Sequence, residues 1–520
     1  MQTTMMRFQT IVVAITFSSA SLSAMADDSN AKRRAAMIDR IDGALAERWT
    51  TEGFEPANRS DDSEFVRRIY LDLTGVIPRV ADVREFLEDE RSDKREQLIE
   101  RLLASPRYPT HLANTWRQVM VPGGLDLEQL QNVAGVQNWL RRQFAQNMRY
   151  DRIVSDFLVA TGGGEAGPAL YYTSLELKPE KLAASTARIF LGLQIECAEC
   201  HPHPFDHWKQ EDFWGYAAFF ARLQQAENRR GPAEVGLVDL NSGEVTLPDS
   251  ETVVPPRYPD GNPVKKEAGG TRRVQLAIWM ASRDNPYLPK AAVNRMWAHL
   301  FGRGLIDPVD DIGEHNPPSH PKLFEDLTDF FVATGFDIKE LLRTLANTQA
   351  YQLSSKLDGT PPAPELFASM AIKTMTSEQL YDSLNRIAGG RPTEIPNFLA
   401  LRSSLFDQQR LAFLGKMQMQ GSNATEFDAG VLQALTLLNG SNINAASHAE
   451  QNGVLIALDS PLFSTEERVE TLFLGTLSRI PNEDETQLFV AHVNDATDQR
   501  EAMGDVLWAL LNSAEFALNH

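Results

Sequence analysis

Apolar positions recur every three or four residues through most of this chain, the period that places them on one face of an α-helix. The stretch AKRRAAMIDRIDGALAERW (31–49) shows the pattern first. DDSEFVRRIYLDLTG (61–75) adds acidic and Ser start signals, a Gly stop and Pro78 just beyond, so both ends of a helix are marked. VADVREFLEDE (80–90) and SDKREQLIERLLASP (92–106) read as two charge-laced helices joined by a tight turn, and VQNWLRRQFAQN (136–147) and YDRIVSDFLVATGGG (150–164) continue the theme. AASTARIFLGLQIE (183–196) predicts a further helix that delivers the chain to Cys197. After Asp206, WKQEDFWGYAAFFARL (208–223) predicts an amphipathic helix with an aromatic face. Phe213, Trp214, Tyr216, Phe219 and Phe220 read as core packing; their place beside a ligand-rich segment also makes them a candidate cofactor wall.

Between 224 and 271 the pattern changes. EVGLVDLNSGEVTLP (234–248) predicts a short hairpin turning at Asn241-Ser242-Gly243, and Pro-Pro, PDGNP and Gly-Gly follow. From Arg272 the helical period returns, with helices expected over 365–389, 431–439, 465–478 and 502–516. The expected fold class is mainly α: two helical domains joined by a linker with a small β-hairpin element. TGGGEAGP (161–168) lacks the spacing and the following Lys of a phosphate-binding loop and reads as a turn.

The N-terminus alters this picture. Met1 to Arg7 carries one positive charge and no acid, Phe8 to Leu22 is apolar or small, and Ala24 and Ala26 suit a signal peptidase. Residues 1–26 therefore read as a secretory signal peptide, cut before Asp27, and the protein as periplasmic or secreted with no transmembrane anchor after cleavage. Acidic residues outnumber basic ones by 70 to 50, which argues against nucleic acid or an anionic membrane as the main partner. Two cysteines in an exported chain of this length do not make a disulfide framework.

Both cysteines and three of the ten histidines fall in one segment, CAECHPHPFDHW (197–208). Cys197, Cys200 and His201 form C-x-x-C-H, the attachment signature of c-type haem: the thiols meet the two vinyl groups and the imidazole becomes the axial iron ligand. Cys197, Cys200, His203 and His207 also have a spacing that can close a tetrahedral zinc site. A redox dithiol and an inert thiol pair remain open as well. For a sixth iron ligand, His203 is too close along a Pro-stiffened chain and His207 only marginally placed; the second half offers Met296, His299, His315 and His320. Asn294, Arg295, His299, Arg303, Asp310, Asp311 and His320 gather around one helix and a Pro-rich loop. Arg295 and His299, four apart, would share a helix face. Arginines there can hold haem propionates or an anionic substrate, or simply fix the loop through Arg-Asp pairs. No G-x-S-x-G elbow, H-E-x-x-H motif or Walker loop is present.

CAECHPHPFDHWKQEDFWGYAAFFARL, with RIYLDLTGVIPRVADVREFL and RLLASPRYPTHLANTW, resembles the N-terminal domain of a group of secreted planctomycete-type proteins, a domain of unknown function named as cytochrome-c-like. NPYLPKAAVNRMWAHLFGRGLIDPVDDIGEHNPPSHPKLFEDL, TSEQLYDSL, QALTLLNG and DVLWALLNSAEFALNH resemble the second domain of unknown function in the same proteins. The resemblance spans 34–223 and 272–518, with 224–271 as the linker. It implies export, the two-domain arrangement and haem c at Cys197, Cys200 and His201, and it makes another exported protein encoded nearby a plausible partner. It supplies no reaction, and the second C-x-x-C-H of many relatives is missing here. The expected function is an exported redox protein with one covalent haem, serving electron transfer or haem-dependent oxidation. The alternative is a non-haem zinc protein, acting as a periplasmic hydrolase or as a structural or binding module.

Overall fold

A computed structural model describes residues 29–120, 127–162, 167–226, 236–264, 269–357, 359, 361–388, 408–417, 447–448 and 452–520. The expected signal peptide, the expected helix at 431–439 and part of the 161–168 turn lie outside the described residues. The fold is mainly α, with three two-stranded antiparallel sheets among the described residues. Among the described residues no helix is long and apolar enough to cross a membrane.

The first half runs through α1 (29–52), α2 (Asp62–Thr74), α3 (Val80–Glu88), α4 (Lys94–Leu103), α5 (Arg107–Met120), α6 (Leu127–Ala145), α7 (Tyr150–Leu158), α8 (Ala169–Ser174), α9 (Pro179–Thr186) and α10 (Gln210–Ala217). α2 is the central helix, buried on every side from Glu64 to Thr74. Its ends are those marked in the sequence: Asp61 accepts the Glu64 N–H at 2.8 Å, and Gly75 stops it at φ 70°. A Cβ at Gly75 would come within 2.4 Å of the His111 ring, so close packing demands glycine here as much as the turn does.

The expected helix at 183–196 is corrected. α9 starts earlier, at Pro179, widens into a π-turn over Ala187–Leu191, and stops at Gly192, whose φ of 67° breaks the period. Leu193 to Ile195 then lead into a 3₁₀ turn, Glu196–Glu199. The expected hairpin at 234–248 is corrected too. Its halves join different sheets: β1 (Leu223–Gln225) pairs with β2 (Leu237–Asp239), and β3 (Val245–Thr246) pairs with β4 (Val253–Val254). Asn241 to Gly243 do not turn back on themselves, because the Leu240 N–H donates to the Arg222 carbonyl at 2.8 Å and Gly243 lies against the Ala221 backbone. The tight turn falls later, between Leu247 and Thr252.

The second half runs through α11 (Arg272–Met280), α12 (Tyr287–Phe301), α13 (Pro321–Ala333), α14 (Ile338–Ala346), β5 (Lys373–Thr374), α15 (Ser377–Ile387), α16 (Gln408–Met417), α17 (Gly453–Leu458), α18 (Thr465–Thr476), α19 (Glu483–Asp495), α20 (Gln499–Leu511), α21 (Ala514–Ala517) and β6 (Leu518–Asn519). The helix expected over 365–389 is shorter: Lys373–Thr374 is drawn out to pair with the C-terminal strand, and the Thr376–Gln379 capping box opens α15 only after it. The helix expected over 502–516 breaks after Leu511, and Ser513 caps a separate turn.

One hydrophobic core takes side chains from Met37 to Met370, on both sides of the 224–271 segment, together with Leu474; a second gathers the C-terminal helices around Leu71 and Ile77 of the first half. Between them α2 carries buried charge. Asp72 accepts from Lys373 Nζ (2.6 Å), Asn519 Nδ2 (2.6 Å) and Tyr351 Oη (2.8 Å). Lys373 also donates to the carbonyls of His299 and Leu300 at 3.0 and 2.9 Å, at the end of α12 where the helix dipole favours a cation. Arg67 donates to the Thr476 and Phe516 carbonyls at 2.9 and 2.8 Å, and Arg68 pairs with Glu64. This network ties the C-terminus to the first half.

Candidate functional site

The ligand-rich segment begins on the 3₁₀ turn. Ala198 is fully buried and anchors it, while Cys197 and Cys200 point outward as free, exposed thiols. Cys197 lies within the 3₁₀ turn and Cys200 is the residue that ends it, its N–H donating to the Cys197 carbonyl. The turn is held from behind: Gln210 Nε2 donates to the Cys200 carbonyl at 2.7 Å and Trp214 Nε1 to the Glu199 carbonyl at 3.0 Å. Phe213, Tyr216, Phe219 and Phe220 are core residues, as their apolar face led us to expect, and Trp214 alone of the five stays partly exposed beside the turn.

His201 follows, exposed, with Nδ1 2.9 Å from the Pro202 carbonyl. A carbonyl only accepts, so Nδ1 carries the N–H in that contact and Nε2 keeps its lone pair, as in a metal-binding histidine whose other nitrogen donates to a carbonyl. The chain then loops back, the His203 N–H donating to the Trp208 carbonyl at 2.8 Å. His203 Nδ1 accepts the Phe205 N–H at 3.3 Å. His207 is exposed, with Nδ1 2.6 Å from Asp206 Oδ1.

The second half meets this loop through residues 304–316. Asn294 on α12 fixes that segment, donating to the carbonyls of Ile306 and Val309 at 2.8 and 2.9 Å and accepting the Ile306 N–H at 3.0 Å. The Ile312 N–H donates to the Gly192 carbonyl at 2.8 Å, one turn before the cysteines. The approach brings His315 between two carboxylates: Nδ1 is 3.5 Å from Asp206 and Nε2 3.2 Å from Asp311. The His203 and His315 rings stand 6.2 Å apart. Gly313 is needed here, since a Cβ would sit 2.6 Å from both Asp206 and His315. Asp310 accepts from Arg188 at 3.4 Å and Gln194 at 3.2 Å, and nearby Glu196 has its carboxyl raised by burial.

Of the second-half residues singled out from sequence, His315 and Asp311 therefore join the segment, and Asp310 docks beside it. Asp206, a side chain 4 % exposed that bridges two histidines, was missed; its place directly before His207 was the available signal. The remaining residues lie elsewhere. His299 is half-buried at the Asp72 network, Nε2 donating to the Asp72 carbonyl at 2.8 Å, its ring 5.4 Å from His111; desolvation lowers its pKa. His320 caps α13 without a side-chain cap bond, and burial, with the Arg48 charge, brings its pKa down to about 4. Met296 is fully buried. Arg303 pairs with Asp307 at 3.5 Å. Arg295 lies over the Trp116 ring, its Cζ 5.8 Å from the centroid. It does share a helix face with His299, since both turn toward α5.

The comparisons with known proteins follow the same division. Residues 40–225 match PSCyt2, described as a protein of unknown function (DUF1549), and residues 272–398 match PSD1, described as a protein of unknown function (DUF1553). The chain carries these two domains in tandem. No curated protein and no solved structure matches it. The ligand segment thus belongs to the PSCyt2 region and its His315–Asp311 neighbour to the PSD1 region.

The donor set at Cys197, Cys200 and His201 of the PSCyt2 region fits a covalently attached haem in two respects: both cysteines are free and exposed, and the imidazole has Nε2 uncommitted. The zinc set is not drawn together. Among the described residues, no three His, Cys, Asp or Glu side chains are grouped so as to hold a metal ion.

Proposed function

We propose that this is an exported redox protein that holds one covalent haem c through Cys197, Cys200 and His201 and serves electron transfer or haem-dependent oxidation outside the cytoplasm. The observation that carries the reading is the pairing of two free, exposed cysteines three residues apart with an imidazole whose Nδ1 is spent on the Pro202 carbonyl. When bound, such a group supplies a one-electron iron couple. The chain's own part is to present the two cysteines at the surface, to leave Nε2 of His201 available as a ligand, and to fix the turn from behind with Gln210 and Trp214. His315 and Asp206 then form a polar wall contributed by both domains. The partner is another exported protein that exchanges electrons with this surface.

A non-haem reading has one observation of its own. His207 presents Nδ1 to a carboxylate and keeps Nε2 free, as zinc-binding histidines do, so Cys197, Cys200, His203 and His207 would hold a metal after a local rearrangement. That protein would be a hydrolase or a structural or binding module.

The deciding experiment is a pyridine haemochrome spectrum and an intact mass of the mature protein made in a periplasm with haem-attachment machinery. A c-type α band with a mass gain of one haem, both lost in Cys197→Ser and Cys200→Ser, is the expected result. A colourless protein at apoprotein mass overturns it; zinc bound in stoichiometric amount and lost in His203→Ala would then establish the metal reading.

A further inference from the structure

Arg295 is a charge whose hydrogen-bond donors go unmet among the described residues. Its Nε and Nη2 are shut off from solvent, yet neither meets a hydrogen-bond acceptor. The ring beneath it, Trp116, also has a buried Nε1–H with no acceptor. Asp310 is the carboxylate that acts on Arg295 most strongly, but its oxygens are taken by Arg188 at 3.4 Å and Gln194 at 3.2 Å. The face of Trp116 offers a cation–π contact at 5.8 Å, which attracts the charge but supplies no acceptor for its N–H groups. Other arginines of the interior show what such a group ordinarily receives: Arg67 reaches four backbone carbonyls, and Arg273 both oxygens of Asp239 and two carbonyls.

The chemistry of the missing partner can be read from what surrounds it. A guanidinium has five N–H donors and no acceptor, and an indole nitrogen only donates. Arg188, which adds a second positive charge nearby, has its single carboxylate contact at the long limit of a hydrogen bond. Tyr150 and Asp310 also act on the guanidinium but give it no hydrogen bond, so N–H donors are in excess here; such an excess calls for a ligand rich in acceptors, and a planar fork favours paired oxygens. The side chain is not sealed off, since Arg295 as a whole keeps some accessible surface. We propose that Arg295, with Trp116 and Arg188 beside it, forms a binding site for a small oxyanion that presents carboxylate or phosphoryl oxygens. The proposal does not depend on the haem reading, because it rests on a different group of side chains.

The test is direct binding of two probes to the mature full-length protein at low chloride: acetate labelled with ¹³C, followed by ¹³C line broadening, and inorganic phosphate, followed by ³¹P. Wild type should bind at least one of them saturably at one site per chain, and which one binds separates the carboxylate from the phosphoryl source. Arg295→Met should bind it at least about tenfold more weakly, with Arg295→Lys in between, because a bidentate charged contact is lost. Arg303→Met, remote and paired with Asp307, should bind as wild type does. Absence of saturable binding of either probe to wild type overturns the proposal, whether or not Arg295→Met folds. Equal affinity in wild type and Arg295→Met overturns it too, by placing the anion elsewhere.

Discussion

Two clusters of ionisable side chains in this protein use the same residue types in opposite ways. Around Asp72, a carboxylate, a lysine, a tyrosine and an asparagine are buried, a histidine is half-buried, and they are bonded to one another or to backbone carbonyls. Around Cys197–His207, thiols and imidazoles stand at the surface with bonding capacity left over. The interior cluster joins α2, α12, β5 and the C-terminal strand, and its polar groups are consumed in doing so. The surface cluster rests on a buried alanine and two hydrogen bonds from α10 to backbone carbonyls, in which its thiols and imidazoles take no part. Uncommitted capacity, more than residue type, separates a site from a girder.

The comparison is broken most severely at Asp72. Asp72→Ala leaves Lys373 charged in the interior without its counter-ion and strips Tyr351 and Asn519 of their acceptor. Removing one partner of a buried pair costs about 3–5 kcal/mol, and urea unfolding should show a loss of that size. A loss under about 1 kcal/mol would mean that the network is not what ties the C-terminus to the first half.

Acid tests the same contrast more gently. Burial lowers the pKa values of His111 and His299 in the Asp72 network, and those of His320 and His520 to about 4. In the unfolded chain these rings take protons near pH 6.5. Over the window from about 6.5 down toward 4 the unfolded state binds more protons, so stability is fully present above the upper limit and falls as pH falls, by at most about 1.4 kcal/mol per pH unit for each ring. Urea unfolding at pH 7, 6 and 5 should trace this decline. The His299→Gln variant should show a shallower slope; an unchanged slope would remove His299 from the account.

The legible part of the molecule was the part with local causes. α2 could be bounded because Asp61 and Gly75 mark its ends, and the C-x-x-C-H motif could be singled out because its residues lie within five positions of the chain. The π-turn before Gly192 could not be read, since the apolar period runs on through Leu191, Leu193 and Ile195 while the glycine's left-handed conformation ends the helix. The strand at Lys373–Thr374 could not be read either: it exists only because residues 518–519 arrive from the far end of the chain. The Asp72 network was hidden for a related reason. Glu64, Arg68 and Asp72 follow one another at four-residue spacing, which ordinarily describes a solvated helix face, and only the packing of later elements around α2 buries them. At the site, the PSD1 region offered several ionisable residues within one short stretch, and sequence had no means of choosing His315 over His299 or His320. The choice was made by the Asn294 clamp and the Ile312–Gly192 bond, which aim the 304–316 loop at Asp206.

The smallest expected effect sharpens the comparison furthest. Cys197→Ser and Cys200→Ser alter exposed side chains that make no contact on which the turn depends, so unfolding of the cofactor-free protein should shift by no more than about 0.5 kcal/mol. Ala198 between them is fully buried, and Ala198→Leu should cost about 1–3 kcal/mol by overpacking. The three variants span four residues, yet they separate the two roles, because two remove only spare ligand capacity and one disturbs only packing. If instead either serine variant destabilised the cofactor-free protein as much as Ala198→Leu does, the thiols would be structural members of the turn. The surface cluster would then resemble the Asp72 network, and the case for a cofactor at Cys197, Cys200 and His201 would lose its physical basis.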